Sequence, residues 1–287
     1  MSEEGIFLVK VIISHDVDHI TAWEHSKDPI IPKFILRAII EWSLNYITGH
    51  ELKNRLLSFV SNKWNYIEHL MTFDKQYRIP STFFIGVNCG KYLCYGKDRA
   101  KEWIGRIKNQ GFDVGVHGIE YENSTAMTEE YAEFKQISGF NAFGIRMHYL
   151  RRTPNTLEFL NKIGYVFDST EMEMKNPYKI GNMWEFPLHV MDGKICSDGA
   201  RWQNRNLDEM RQLTMNYLKL AMETDISYFT LLFHDRYFSD EYKTLKAWYV
   251  WFVTYCRESG IDFLNYRDAI VELEKSRLSS GHNQHKY

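Results

Sequence analysis

Residues 9–19, VKVIISHDVDH, place an apolar run directly before a cluster of ionisable side chains. The three consecutive β-branched residues at 11–13 are typical of a strand that is buried on both faces of a parallel sheet. Asp16 and Asp18 follow at positions i and i+2, so on a continuing strand both carboxylates leave the same face. Asp is also common in turns and helix caps, so the stretch alone predicts only a buried strand with a charged carboxyl end.

The same arrangement recurs along the chain, which favours a functional interpretation. In α/β barrels and open parallel sheets, the carboxyl ends of the strands converge on one rim, and that rim carries the chemistry. We therefore expect a single site built from the polar residues that end the later apolar runs: His117, Arg146, His148, Asp168 and His234.

Strands alternate with helices from residue 80 onward, and Gly111, Gly164 and Gly260 each follow a predicted helix, where a C-terminal cap requires positive φ. This pattern predicts seven or eight βα units and a closed or nearly closed α/β barrel. The predicted strands are 81–87, 113–117, 143–149, 165–169, 228–234 and 261–265, with an extended segment at 183–191; the predicted helices are 99–110, 128–137, 153–163, 207–223, 242–259 and 267–275.

A long insertion separates the first strand from this alternating region. Residues 19–78 have apolar side chains at helical spacing and predict two or three helices. The insertion leaves from the charged strand end, so it either overhangs the site or serves packing alone. We expect one domain over residues 1–277 and a disordered tail over 278–287, which is rich in Ser, Gly, His and Asn.

Composition excludes several classes of protein. A net charge of -2 without a basic block argues against a nucleic-acid partner. The apolar stretch 35–47 is too short and too charged to span a membrane. The N-terminal residues lack a basic region and a long apolar segment, so we expect a cytoplasmic protein. The four cysteines form no close CxxC pair and are expected to be reduced structural thiols.

Six short motifs occur in the order HDVDH, STFFIG, GVHGIEYEN, GIRMHYLR, FDST and LLFHD. In this order they resemble the polysaccharide deacetylase family, the NodB-homology domain of carbohydrate esterase family 4, over roughly residues 8–270. The resemblance implies a distorted (β/α)7 barrel with the helical insertion after its first strand. It also implies metal-assisted removal of an acetyl group from an N-acetylated amino sugar in a glycan, a glycolipid or a precursor.

The resemblance also implies a role for each matched residue. It implies a catalytic base at Asp16, metal ligands at Asp18 and His117, an arginine that orients the base at Arg146, a backbone N–H facing the oxyanion at Tyr149, a fourth-motif acid at Asp168, an apolar groove residue at Leu232 and a general acid at His234. These roles are chemically coherent, because hydrolysis of an amide needs one group to activate water and another to protonate the leaving amine.

Two positions depart from the family pattern. Tyr121 occupies the position of the second metal-binding histidine, and a phenol with a pKa near 10 is an uncommon ligand. His148 replaces a usual proline and leaves its strand end on the same side as Arg146, so we expect His148 to be the substitute ligand. The expected cofactor is a divalent metal, with zinc favoured. Three further candidates, each also compatible with a purely structural role, are His15, His19 and Glu120.

Two other functions are compatible with this sequence. Metal-independent allantoinases also resemble it in having an aromatic residue at the position of Tyr121, which makes a metal-independent hydrolase of other C–N bonds an alternative. A carbohydrate-binding pseudoenzyme is the second. The retention of Asp16, Arg146 and His234 argues against it, since a binding protein needs no acid and base together. The expected partner is a carbohydrate or small-molecule amide substrate.

Overall fold

A ten-stranded, mostly parallel sheet forms the centre of the structure, a computed structural model that describes residues 9–282 and the side chains of residues 9–278. The strands are Lys10–Val17 (β1), Thr82–Ile85 (β2), Asp113–Gly118 (β3), Ile145–Met147 (β4), Phe167–Asp168 (β5), Tyr178–Ile180 (β6), Met183–Glu185 (β7), Val190–Met191 (β8), Tyr228–Leu232 (β9) and Phe263–Leu264 (β10).

The strands follow the order β6-β7-β5-β4-β3-β2-β1-β9-β8, and β10 pairs with β1. β6 is antiparallel to β7, whereas the other paired strands are parallel. This architecture confirms the predicted α/β barrel-like fold. Among the described residues no ladder joins β7 to β8, so the sheet curls without closing by hydrogen bonds.

Ten helices surround the sheet in the described part of the chain. They are Ile30–Ser43 (α1), Gly49–Ser61 (α2), Ile67–Gln76 (α3), Lys97–Asn109 (α4), Ser124–Ser138 (α5), Thr156–Ile163 (α6), Asp192–Ile195 (α7), Leu207–Glu223 (α8), Lys243–Glu258 (α9) and Tyr266–His282 (α10). The insertion supplies α1, α2 and α3, as its periodicity predicts. α10 continues to His282, so the helix runs into the predicted tail, whose last five residues lie outside the described residues.

None of the described helices is both long enough and apolar enough to cross a lipid bilayer.

α8 begins at the predicted residue because Asn206 caps it, and Glu209 reaches back to the Asn206 backbone to complete a capping box.

The two faces of β1 have different roles. Val11 and Ile13 join the large apolar cluster that the surrounding helices cover. Ile12 lies on the opposite face, in an inner cluster with Phe84 and with Tyr266 of α10. Because side chains alternate along a strand, Ser14 and Asp16 follow Ile12 on the inner face, whereas His15 lies on the helix-covered face with Ile13. The strand therefore carries apolar residues into the interior first and ionisable residues at its carboxyl end.

Candidate metal centre and catalytic pocket

Three ionisable side chains converge where the parallel strands end. Asp18 follows β1, His117 is near the end of β3, and His148 follows β4 directly. Asp18 Oδ1 lies 3.1 Å from His117 Nε2 and 3.2 Å from His148 Nδ1, and the two ring nitrogens are 3.0 Å apart. Among the residues that the structure describes, this is the one group of three or more His, Cys, Asp or Glu side chains whose ligand atoms lie close enough together to hold a metal ion.

Backbone carbonyls fix the tautomers of both histidines. The carbonyl of Arg146 lies 3.1 Å from His117 Nδ1, and the carbonyl of Lys91 lies 3.1 Å from His148 Nε2. A carbonyl only accepts hydrogen bonds, so each of these two nitrogens carries the hydrogen and donates it. In the neutral rings, His117 Nε2 and His148 Nδ1 therefore turn lone pairs toward Asp18.

This donor set fits a divalent metal such as zinc. Four ligands arranged tetrahedrally at Zn distances are about 3.3 Å apart, close to the separations of these three atoms. Burial would raise the pKa of Asp18, but positive charge and hydrogen-bond donation from His148, His117 and His234 hold it well below its usual range, so the carboxylate stays anionic beside a cation, whether that cation is a protonated ring or a metal ion. Two lone pairs and a carboxylate at such short distances repel one another unless a cation lies between them.

Tyr121 lies away from these ligands. The chain leaves the rim after β3, where the buried Glu130 carboxylate accepts the backbone N–H of Ile119. The Tyr121 ring lies against the guanidinium of Arg151, and hydrogen bonding to Glu122 raises the pKa of the phenol. The position of the family's second histidine is thus outside the centre, and His148 occupies the space beside His117, as the sequence predicts.

A tight turn supplies the carbonyl that orients His148. Gly90 and Leu93 exchange two backbone hydrogen bonds, and Lys91 and Tyr92 between them have φ values of 49° and 72°. Cys89 and Cys94 flank this turn and form a disulfide, so the prediction that all four cysteines are reduced is wrong for this pair. The turn brings their Cα atoms to 4.4 Å, which a sequence separation of five residues does not reveal. Cys196 and Cys256 are free and buried, as predicted.

Asp16 and Arg146 form a buried ion pair beside the three ligands. Arg146 Nη1 donates to Asp16 Oδ1 at 3.0 Å, and the other Asp16 oxygen is 3.8 Å from His117 Nε2. Arg146 also donates to Ser169 and to the Tyr266 hydroxyl, so its fully buried guanidinium has fixed partners on several sides. This network holds the Asp16 carboxylate in one orientation at the edge of the candidate metal centre.

His234 follows β9 and lies on the other side of Asp18, with 3.6 Å between His234 Nε2 and Asp18 Oδ2. The buried Asp192 accepts hydrogen bonds from the His234 ring at 2.9 Å and from its backbone N–H at 2.6 Å. Burial lowers the pKa of His234, but Asp192 and then Asp18 and Asp16 raise it to about 10, so the ring is a cation at neutral pH. Asp192 is not among the site residues that the sequence predicts, although it follows the apolar residues of β8 at the end of that strand.

The other candidate histidines have different surroundings. His15 is fully buried between Asp74 and the carbonyl of Phe233, so its role is structural. His19 lines the pocket, and its Nδ1 lies 2.8 Å from His25 Nε2; the Nδ1 of His25 in turn donates to Asp28. This chain of hydrogen bonds leaves the lone pair of a neutral His19 on Nε2.

The remaining predicted residues do not all reach the pocket. Tyr149 and Leu232 line it, and Tyr149 has a φ of 59°, which ends β4 earlier than the predicted strand. Asp168 does not line the pocket, which corrects its expected position beside the substrate. It accepts hydrogen bonds from Thr170, and burial raises the pKa of both Asp168 and neighbouring Glu185. Glu120, the last candidate, does not line the pocket either.

The candidate centre lies in a pocket of about 610 Å³. Asp16, Asp18, His117, His148 and His234 form its floor, and α1 of the insertion adds Ile30, Phe34 and Arg37 to its wall. A cavity of this volume fits a small substrate or one sugar unit of a larger one. The insertion therefore overhangs the site, which is the first of the two roles that its position allows.

Comparisons with known proteins agree with this fold. No protein-family model and no curated protein sequence matches the chain. A candidate polysaccharide deacetylase from Mycobacterium smegmatis matches with a TM-score of 0.64 and 15% identity, covering 96% of this chain and 93% of that one. PuuE allantoinase matches with a TM-score of 0.61 and 13% identity, covering 92% and 90%.

A third solved structure limits what the fold alone implies. A family-57 glycoside hydrolase branching enzyme from Thermococcus kodakaraensis matches with a TM-score of 0.51 and 10% identity, covering 92% of this chain and 71% of that one. At such identities the comparisons show a shared fold, the fold of the polysaccharide deacetylases. Since one fold supports several reactions, the function has to be argued from the side chains of the site.

Proposed function

We propose that the protein is a metal-dependent amide hydrolase that removes the acetyl group from an N-acetylated amino sugar in a glycan, a glycolipid or a precursor. The observation that carries this proposal is the convergence of one carboxylate and two imidazole lone pairs, at Asp18, His117 and His148, within 3.2 Å of one another. An acid and a base candidate flank this group, which is the arrangement that amide hydrolysis requires. The fold shared with a candidate polysaccharide deacetylase supports the choice of substrate class.

Asp18, His117 and His148 would hold a divalent ion. Such an ion supplies Lewis acidity to the amide carbonyl and lowers the pKa of bound water. Because the three donors come from the ends of three strands of one rigid sheet, the centre is preorganised and needs no movement to form.

Asp16 acts as the general base in this proposal. Its carboxylate receives a proton from the attacking water as the oxygen of that water bonds to the carbonyl carbon. The buried Arg146 fixes the carboxylate at 3.0 Å and stabilises its negative charge before the proton arrives. Asp16 is 2% exposed, so little bulk water competes for it.

His234 acts as the general acid. It starts as a cation because Asp192 raises its pKa to about 10, and it transfers its Nε2 proton to the leaving nitrogen as the C–N bond breaks. The products are acetate and the free amine of the sugar. Asp16 lies 3.8 Å from His117 and His234 lies 3.6 Å from Asp18, so the base candidate and the acid candidate contact the centre at different ligands.

The experiment is an assay of acetate release from a panel of N-acetylated amino sugars, free, nucleotide-linked and polymeric. We expect turnover that chelation abolishes and zinc restores, and that Asp16→Asn reduces by at least about a hundredfold with metal content unchanged. An unchanged rate in Asp16→Asn would contradict the proposal. Activity that survives exhaustive chelation would identify a metal-independent hydrolase of C–N bonds instead.

A further inference from the structure

The solvent-facing sides of α1 and α2 are apolar. Of the fifteen large apolar side chains that are exposed in the described residues, nine lie between residues 23 and 60, so exposed apolar surface is concentrated in the insertion. Leu36 is 60% exposed and Val60 is 78% exposed. We use the name outer face for the six exposed apolar side chains of these two helices: Leu36, Ile39, Trp42, Leu56, Leu57 and Val60.

Buried ionic contacts fix the opposite sides of both helices. Glu41 of α1 pairs with Arg55 of α2 and with Arg37, and it accepts the backbone N–H of Gln203 at 2.7 Å. Arg55 donates to the carbonyl of Glu241 at 2.8 Å. These contacts tie the helix pair to the body of the protein at two places. The outer face therefore cannot turn inward without breaking buried charge pairs, which is costly.

The exposed charged side chains of α1 and α2 are lysines, and the exposed Asp240, which shares a surface pocket with Leu57, pairs with Lys246. Within these two fully described helices the carboxylates are Glu41 and Glu51, and both are buried. Lys33 and Lys53 are exposed on the same helices, and Lys63 follows α2. The whole chain has a net charge of -2, so the exposed charge of these two helices is opposite in sign to the net charge of the molecule. The charge of the two helices is complementary to an anionic surface.

We propose that the outer face docks on an anionic lipid membrane surface. Interfacial helices that lie on membranes combine a Leu- and Trp-rich apolar side with lysines at its borders, as α1 and α2 do. A second copy of the chain is a poorer occupant, because a two-fold interface pairs this face with itself, and α1 and α2 expose lysines but no carboxylate that could pair with them. Docking puts α1 between the lipid and the pocket, because Ile30, Phe34 and Arg37 line the pocket from the side of α1 that faces away from the outer face. The proposal does not depend on the reaction.

The test is sedimentation of the full chain with vesicles. Vesicles of phosphatidylcholine and phosphatidylglycerol in equal parts should bind the protein, and pure phosphatidylcholine vesicles should bind it more weakly. Raised salt should weaken binding to the vesicles that contain phosphatidylglycerol. Leu36→Ser/Val60→Ser should weaken binding by about tenfold or more, because two large apolar side chains no longer leave water. Leu220→Ser/Met222→Ser on α8 replaces two exposed apolar residues outside the outer face and should bind like the parent.

Equal binding by the parent and by Leu36→Ser/Val60→Ser would overturn the proposal, as would no binding of the parent to either vesicle. Sedimentation equilibrium in parallel tests the alternative occupant. If the parent is a dimer that binds no vesicles, and Leu36→Ser/Val60→Ser is a monomer, the outer face binds a second copy of the chain instead. Lys53→Glu leaves the apolar surface intact and should weaken binding to the anionic vesicles selectively. Circular dichroism of each variant verifies that these surface changes leave the fold intact.

Discussion

The Nδ1 atom of His148 lies 3.0 Å from the Nε2 atom of His117, and in the tautomers that two backbone carbonyls fix, neither nitrogen has a hydrogen to place between them. The Asp18 carboxylate oxygen completes this triangle of donors. A cation relieves the repulsion among the three, either a metal ion or a proton that turns one ring into an imidazolium. We propose that a divalent metal has this role in the active protein.

Asp192→Asn tests the role of His234 as the general acid. Asp192 is the main charge that raises the pKa of His234 to about 10, so its loss should lower that pKa toward the ordinary value near 6.5. Turnover should fall by about tenfold to a hundredfold, because less of the ring is protonated and its orientation is lost. Titration of the ring by NMR in metal-free protein measures the shift. Asp28→Asn is the matched control, since Asp28 pairs with His25, and an unchanged pKa of His234 in Asp192→Asn would contradict the assignment.

Cys89→Ala/Cys94→Ala tests how His148 is oriented. Without the disulfide, the turn that presents the Lys91 carbonyl has only its two backbone hydrogen bonds to hold its positive φ angles. Zinc affinity should fall by about tenfold, the usual effect of losing a partner that orients a metal ligand. Competition with a chromogenic chelator measures it.

Lys91→Gly is the control for the disulfide variant, because it keeps the carbonyl and suits a φ of 49°. Its zinc affinity should match that of the parent. Undiminished affinity in the double alanine variant would mean that the disulfide has no part in positioning His148.

Acid stability tests a buried histidine outside the pocket. Burial lowers the pKa of His189 to about 4, and the neutral ring accepts the backbone N–H of Thr230 and donates to the carbonyl of Lys175. Between pH 6.5 and 4 the unfolded chain binds a proton at His189 that the folded chain does not, so stability that is present above pH 6.5 is lost as the pH falls. The loss from this group is about 3 kcal/mol.

Urea unfolding at pH 7 and pH 4 measures this loss. His189→Gln has no titrating group at this position, so its free energy of unfolding should fall less over the same interval than that of the parent. Parallel pH profiles for parent and variant would show that His189 does not carry the effect.

The sequence predicts most of the site because the ends of buried strands can be recognised from apolar runs that are followed by ionisable residues. A β-branched run followed by acids identifies β1, and parallel pairing brings its end near His117 and His148. The exchange of the second histidine for His148 also follows from the sequence, since His148 leaves the same strand end as Arg146. Asp192 also follows a strand, but β8 has only two residues, so its short apolar run does not identify a strand end in the sequence.

Other features depend on tertiary contacts that no spacing encodes. The Lys91 carbonyl reaches His148 across 57 residues, and Cys89 meets Cys94 only because the backbone between them turns at two positive φ angles. Asp168 was misplaced because a strand-end acid was expected to face the pocket, whereas Glu185 and Thr170 hold it in the buried interior. Loop conformation and the burial of single acidic side chains, unlike strand periodicity, leave no local pattern.

Elemental analysis of the purified protein, after incubation with zinc and removal of excess metal, measures directly whether Asp18, His117 and His148 hold a metal ion. Parent protein and Tyr121→Phe should each retain about one zinc ion per chain, because Tyr121 lies outside the centre. His148→Ala and Asp18→Ala should retain little or none. A parent protein that retains no metal, or a His148→Ala variant that retains as much as the parent, would contradict the account.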